Sequence, residues 1–176
     1  GTHLKVAVAG SALASDTIND AGQALIEYIN TYRIEARPLK SVILRSDSSG
    51  KVGISLFVND RAIVDAFADF HLSNTLFEVI YSNPKSPASV ATEVLFIDEG
   101  YLTDTLLGRE FHYSPRSFFQ VNIPVYEAAL QEIAQFVTNA NTNEIIDMYS
   151  GVGSIGLSVV GDEKLLTMIE TDAEST

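Results

Sequence analysis

Residues 144–170 hold the pattern that most limits what this chain can fold into. The apolar run Glu144-Ile145-Ile146-Asp147-Met148-Tyr149 leads into the glycine loop Gly151-Val152-Gly153-Ser154-Ile155-Gly156. A helix-compatible stretch, Ile155 to Val160, follows, and then a second apolar run, Leu165 to Ile169, that ends in Glu170. Strand, glycine turn, helix and strand in this order make a βαβ unit whose two strands run parallel. Glycines at 151 and 153 let the backbone turn sharply and approach a ligand, and Gly156 lets helix pack closely on strand. Loops of this kind open nucleotide-type cofactor sites, and a carboxylate at the end of the next strand suits a ribose diol. Glu170 follows Gly151 by 19 residues, close to the spacing of about 20 in such sites.

Asp147 discriminates between cofactors. A carboxylate at the end of the first strand repels a pyrophosphate, whereas it attracts a sulfonium that carries an amino group. The pattern Asp-x-x-x-Gly-x-Gly therefore favours S-adenosylmethionine over NAD. The ring of Tyr149 has two readings, lining the site or filling a core. Upstream lies Ser117-Phe118-Phe119-Gln120-Val121-Asn122. Two aromatics suit a core and Asn122 suits a helix N-cap, while Gln120 is a polar amide inside an apolar run. It is either the exposed alternate of a strand or a group that faces a ligand.

The rest of the chain divides in character near Ser114-Pro115. Before that point, Ile18, Ala21, Leu25, Ile29 and Tyr32 recur at helical spacing, with Ser15 or Asp16 as N-cap. Val42 to Leu44 and Val52 to Val58 flank Asp47-Ser48-Ser49-Gly50 as a β-hairpin. Asp60 is placed to cap a second helix reaching about Phe70, with Ile63, Val64, Phe67 and Phe70 inward. Short β-like runs follow at Leu76–Tyr81, Val94–Ile97, Leu102–Leu107 and Phe111–Tyr113. This order predicts an α+β domain with an antiparallel sheet over residues 1–112. After it, Asn122 and Pro124 start a helix with Tyr126, Leu130, Ile133 and Val137 on its apolar face. The βαβ pattern then places residues 113–176 at the beginning of a Rossmann-like α/β domain, with its strands buried.

Composition removes several classes of chemistry. The chain has no cysteine among its 176 residues, which excludes disulfides, thiolate metal sites, iron–sulfur ligation and a thiol nucleophile within them. His3, His71 and His112 lack metal-ligand spacing and read as structural, so no metal site is expected. A formal charge of -12 repels phosphates unless basic residues cluster. The one loose cluster, Arg33, Arg37, Lys40 and Arg45, reads as a solvated helix exit and strand edge. No apolar run approaches the roughly 20 residues that span a bilayer, and Gly1-Thr2-His3 shows no signal-peptide pattern. A soluble, cytoplasmic protein without membrane contact is expected.

Tyr113-Ser-Pro-Arg-Ser-Phe-Phe-Gln-Val-Asn122, the helix after it, Asp147-Met-Tyr-Ser-Gly-Val-Gly-Ser-Ile-Gly156 and Ile169-Glu170 together resemble the RNA 5-methyluridine methyltransferases, which methylate C5 of uridine in ribosomal or transfer RNA. The motifs cover residues 113–170. Residues 1–112 are similar to the family's central domain in order of elements only. The resemblance implies S-adenosylmethionine as cofactor and RNA as the partner of the full-length enzyme, with weak or no RNA binding by this chain alone. It puts Gln120, Tyr149 and Glu170 on cofactor-contacting positions, Glu170 on the ribose hydroxyls, and Gly151 and Gly153 on the loop. Ser154 stands where other members often carry Asn, and Ser150 where they often carry Cys.

The family's chemistry adds a Cys thiolate to C6 of a flipped-out uracil, and a carboxylate later removes the C5 proton. In family order both groups lie beyond residue 176, so no catalytic residue is assigned here. Some members also hold an iron–sulfur cluster through a Cys near the start of the central domain, and the matching stretch Ala7 to Leu13 has none. The expectation is a truncated piece of such an enzyme, inactive by itself and prone to self-association through an unpaired sheet edge. Two rival readings stand beside it: a piece of a dinucleotide-dependent oxidoreductase, and a non-enzymatic α+β interaction module.

Overall fold

The computed structural model describes residues 8–87 and 89–172, and His3 lies outside them. The chain divides into two compact units, the first running to Leu102 and the second from Thr103. That division precedes the change of character near Ser114. Residues 103–113 fall with the second unit, where Phe111 and Tyr113 pack their rings on Phe119.

In the first unit, helix α1 (Asp16–Thr31) starts where Ser15 Oγ accepts the Ile18 N–H at 3.3 Å. It lays Ala21 and Leu25 on the sheet, while Tyr32 sits just past its end and is exposed. Strands β1 (Leu39–Ser46) and β2 (Val52–Val58) form the expected antiparallel hairpin. Asp47 Oδ1 holds its turn by accepting the Ser49 N–H and hydroxyl and the Lys51 N–H at 2.7–3.0 Å. β3 (Thr75–Tyr81) and β4 (Glu93–Ile97) complete a sheet of order β1-β2-β3-β4.

The sheet is mixed rather than antiparallel, because β2 and β3 run parallel. Residues 59–74 make the crossover that parallel strands need. Within them, the helix expected from Asp60 to Phe70 is a 3-10 helix over Arg61–Phe67, with the Asp60 side chain accepting the Ala62 N–H at 3.0 Å. Phe67 and Phe70 still turn inward, and join Ile54, Leu56, Val58, Phe77 and Val79 in one core under α1. β2 is buried along its whole length rather than on alternate residues. Its second face carries Ser55, whose hydroxyl donates to the buried Glu78 at 2.5 Å.

In the second unit, β5 (Leu102–Leu106) and β6 (Arg109–Tyr113) pair across the turn Leu107-Gly108. Both turn residues have positive φ, 49° and 82°, as tight hairpins require. Tyr113 stacks on Phe119 with centroids 4.4 Å apart, and its hydroxyl donates to buried Asp104 at 2.5 Å. The SFFQ segment is coil: Phe119 is buried, and Phe118 points outward. Asn122 Oδ1 accepts the Val125 N–H at 3.3 Å and starts α2 (Ile123–Asn139), which buries Leu130 completely.

β7 (Glu144–Met148) and β8 (Leu165–Ile169) then run parallel with α3 (Gly156–Val159) between them. The helix is a single turn. The expectation of two buried strands is corrected: Ile146, Met148, Leu165 and Ile169 are exposed. On the other face Asp147 and Leu166 are half-buried against the glycine loop and α3, while Met168 stays exposed.

Candidate functional site

The C-terminal ends of β7 and β8 lie side by side, with Met148 paired to Ile169, so the loop after β7 and the carboxylate after β8 converge. Ile169 O accepts the N–H groups of Tyr149 (2.9 Å) and Ser150 (3.1 Å), which carries the ladder one step past the strands. The chain then turns through three left-handed residues, Tyr149 (φ 61°), Gly151 (55°) and Gly153 (76°). For glycine this conformation is free, whereas at Tyr149 it stores strain of about 1–2 kcal/mol. The Tyr149 ring is 86% exposed beside the turn, which removes its reading as a core aromatic.

The glycines have distinct jobs. A Cβ on Gly153 would lie 2.8 Å from Leu157 Cδ1 and 2.9 Å from Met168 Sδ, and one on Gly156 would lie 2.8 Å from Asp147 Oδ2. Both positions are close approaches of loop or helix to the sheet. Gly151 is different, since an added Cβ there meets nothing within 4 Å. The backbone at Gly151 borders open space.

Two carboxylates hold the loop, Glu170 at Gly151 and Asp147 at Gly156. Glu170 Oε2 accepts the Gly151 N–H at 2.8 Å, and its Oε1 accepts the N–H groups of Thr171 (2.6 Å) and Asp172 (2.8 Å). These bonds, Asp172's foremost, hold the Glu170 carboxyl below its ordinary value, so it stays ionised and keeps lone pairs for a ligand's hydroxyls. Asp147 Oδ2 accepts the Gly156 N–H at 2.9 Å and ties the start of α3 to β7. Its Oδ1 accepts no hydrogen bond among the described residues.

Ser154 Oγ lies 2.9 Å from the Tyr126 hydroxyl, which fastens the loop to α2. Tyr126 is a site residue that the sequence reading missed, because helical periodicity marked only its apolar ring. Gln120 is half-buried in the coil before α2 and makes no hydrogen bond to the loop among the described residues. The structure thus gathers Asp147, Tyr149, Gly151, Gly153, Ser154 and Glu170 at one strand edge and leaves Gln120 without a bond to them. No metal-binding cluster of His, Asp and Glu, and no helix long and apolar enough to cross a membrane, occurs among the described residues.

A βαβ unit with a glycine loop at the strand ends and an acid on the neighbouring strand defines a nucleotide-type cofactor fold. No family model matches the chain. Proteins similar to it in sequence carry the name RNA methyltransferase, one of them of the uracil-C5 class. The chain is 28% identical over 140 residues to an uncharacterized RNA methyltransferase of Fusobacterium nucleatum, covering 75% of this chain and 30% of that protein. It is 25% identical over 177 residues to another from Streptococcus agalactiae, covering 93% and 39%.

The 23S rRNA (uracil(747)-C(5))-methyltransferase of Xenorhabdus bovienii is 32% identical over 83 residues, covering 47% and 22%. Among solved structures, the Pyrococcus abyssi tRNA (uracil-54, C5)-methyltransferase in complex with S-adenosyl-L-homocysteine has the same fold, at a TM-score of 0.76 and 19% identity. That match covers 95% of this chain and 43% of that one. The sequence matches span between about a sixth and two-fifths of the relatives' own length.

Proposed function

We propose that these 176 residues are the central α+β domain and the opening of the S-adenosylmethionine-binding domain of an RNA (uracil-C5)-methyltransferase. The observation that carries this reading is Glu170 held ionised against the Gly151 N–H beside open space, at the end where parallel sheets bind nucleotides. The residues present fit the cofactor. Glu170 would accept the ribose hydroxyls, Gly151 and Gly153 would let the ligand approach the backbone, and the Tyr149 ring would cover it. Asp147 Oδ1 would attract the cofactor's ammonium and sulfonium, the Gln120 amide would bond the same ligand, and Ser154 would brace the loop through Tyr126. Bound S-adenosylmethionine supplies a methyl group made electrophilic by its sulfonium.

RNA is the substrate this reading implies, ribosomal or transfer. The thiolate that activates uracil must come from outside this cysteine-free sequence, so the chain alone transfers no methyl group. A calorimetric titration of the chain with S-adenosylmethionine and with NAD tests the cofactor. The expected result is saturable binding of the first only, weakened about tenfold or more by Glu170→Gln, since a hydrogen bond to a charged group contributes about 1.5–3 kcal/mol. Equal binding of NAD, or binding indifferent to Glu170→Gln, would overturn the proposal.

A further inference from the structure

Lys40, one residue of the basic cluster, turns its ammonium onto neutral oxygens of the fold. The β1–β2 register slips between Leu39 and Ser41, which leaves Lys40 as the extra residue of a β-bulge. Bulges re-aim side chains, and this one sends the ammonium into the loop after β3. Lys40 Nζ lies 2.9 Å from Ser82 Oγ, 2.9 Å from Asn83 O, 3.1 Å from Ser86 O and 3.5 Å from Pro87 O. All the oxygens are neutral, and Lys40 takes part in none of the ion pairs among the described residues. Ser82 is fully buried.

Converging carbonyl dipoles repel one another unless a cation sits among them, and rings of carbonyls are how proteins replace the hydration shell of potassium. An ammonium and a potassium ion are close in size, and the guanidinium of arginine, a flat fork, would not fit the same place. We infer that Lys40 Nζ fills a monovalent-cation cage built by Ser82, Asn83, Ser86 and Pro87, so that the 82–87 loop folds around a positive charge the chain carries itself. Removing the ammonium together with its stem leaves these oxygens open to potassium or ammonium.

The variant Lys40→Ala tests this, with backbone amide exchange of residues 82–87 followed at one ionic strength in choline, lithium, potassium and ammonium chlorides. In choline chloride the loop amides of the variant should exchange at least about tenfold faster than in the parent chain. Potassium and ammonium should restore protection saturably, and choline and lithium should not. Equal recovery in every salt would mean simple screening, and no change on substitution would mean that the charge is dispensable; either overturns the inference. If Lys40→Ala fails to fold, the parent chain decides by nitrogen-detected NMR of its lysine side chains. A Lys40 ammonium whose protons exchange much more slowly than those of exposed Lys85 supports the cage, and equal rates overturn it.

Discussion

Gly151 and Gly153 share a left-handed backbone, yet their surroundings separate the two. Alanine at either position costs about 1–2 kcal/mol of backbone strain. At 153 the new methyl also collides with Leu157 and Met168, and overpacking of this kind adds about 1–3 kcal/mol. Urea denaturation should therefore show Gly153→Ala clearly less stable than Gly151→Ala. The ranking should reverse for cofactor binding, because a methyl on Gly151 projects into the open space proposed for the ligand. Equal losses of stability would show that the contacts under Gly153 yield without cost.

Glu170 supplies a pH test at the same scale. Its carboxyl is depressed in the folded chain by backbone N–H groups, so ionised Glu170 stabilises the loop above its unfolded value. That stabilisation is lost as pH falls through the lower folded value. Loop amides should stay protected through the ordinary carboxylate range and open only as pH falls through the depressed value, and Glu170→Gln should remove the transition from the exchange profile.

At the scale of elements, periodicity made the long helices legible. Ser15 caps α1 and Asn122 caps α2 because each is a short acceptor placed before an apolar stripe. The βαβ order was legible too, from the glycine spacing and the closing acid. What periodicity does not carry is the partner of each strand. β2 and β3 read as members of an antiparallel sheet, and the crossover through 59–74 made them parallel. Nor does it carry hydrogen bonds formed across the fold, such as Tyr126 to Ser154 or Gly156 to Asp147.

That last bond gives Asp147 a structural duty beside its proposed attraction for a cationic cofactor, and two substitutions separate the duties. Asp147→Asn keeps an oxygen for the Gly156 N–H and should hold stability within about 0.5 kcal/mol. It should still weaken binding of a cationic ligand, because the charge is gone. Asp147→Ala removes both and should cost about 1 kcal/mol in addition. Denaturation and titration of the pair check this, and Asn binding the ligand as tightly as Asp would confine Asp147 to the α3 tie.

The two units differ in how completely their sheets are covered. β2 and β3 are central in a sheet of four strands and are almost wholly buried. β7 and β8 form a pair with apolar Ile146, Met148, Leu165 and Ile169 on the open face. A two-stranded ribbon is marginal by itself, and each apolar side chain left in water forgoes about 1.5–3 kcal/mol of burial. Hydrogen exchange should show the β2 and β3 amides outlasting those of β7 and β8 by about a hundredfold or more. A second copy of the chain placed on the open face would bury it, against the repulsion of a net charge of -12. Protection of β7 and β8 should therefore rise with protein concentration, and rise further when salt screens that charge. Ile146→Glu should abolish both dependences while leaving β2 and β3 unchanged. Equal protection of the two sheets at every concentration would show that the exposed face is stable uncovered, and sedimentation would then find a single monomeric species.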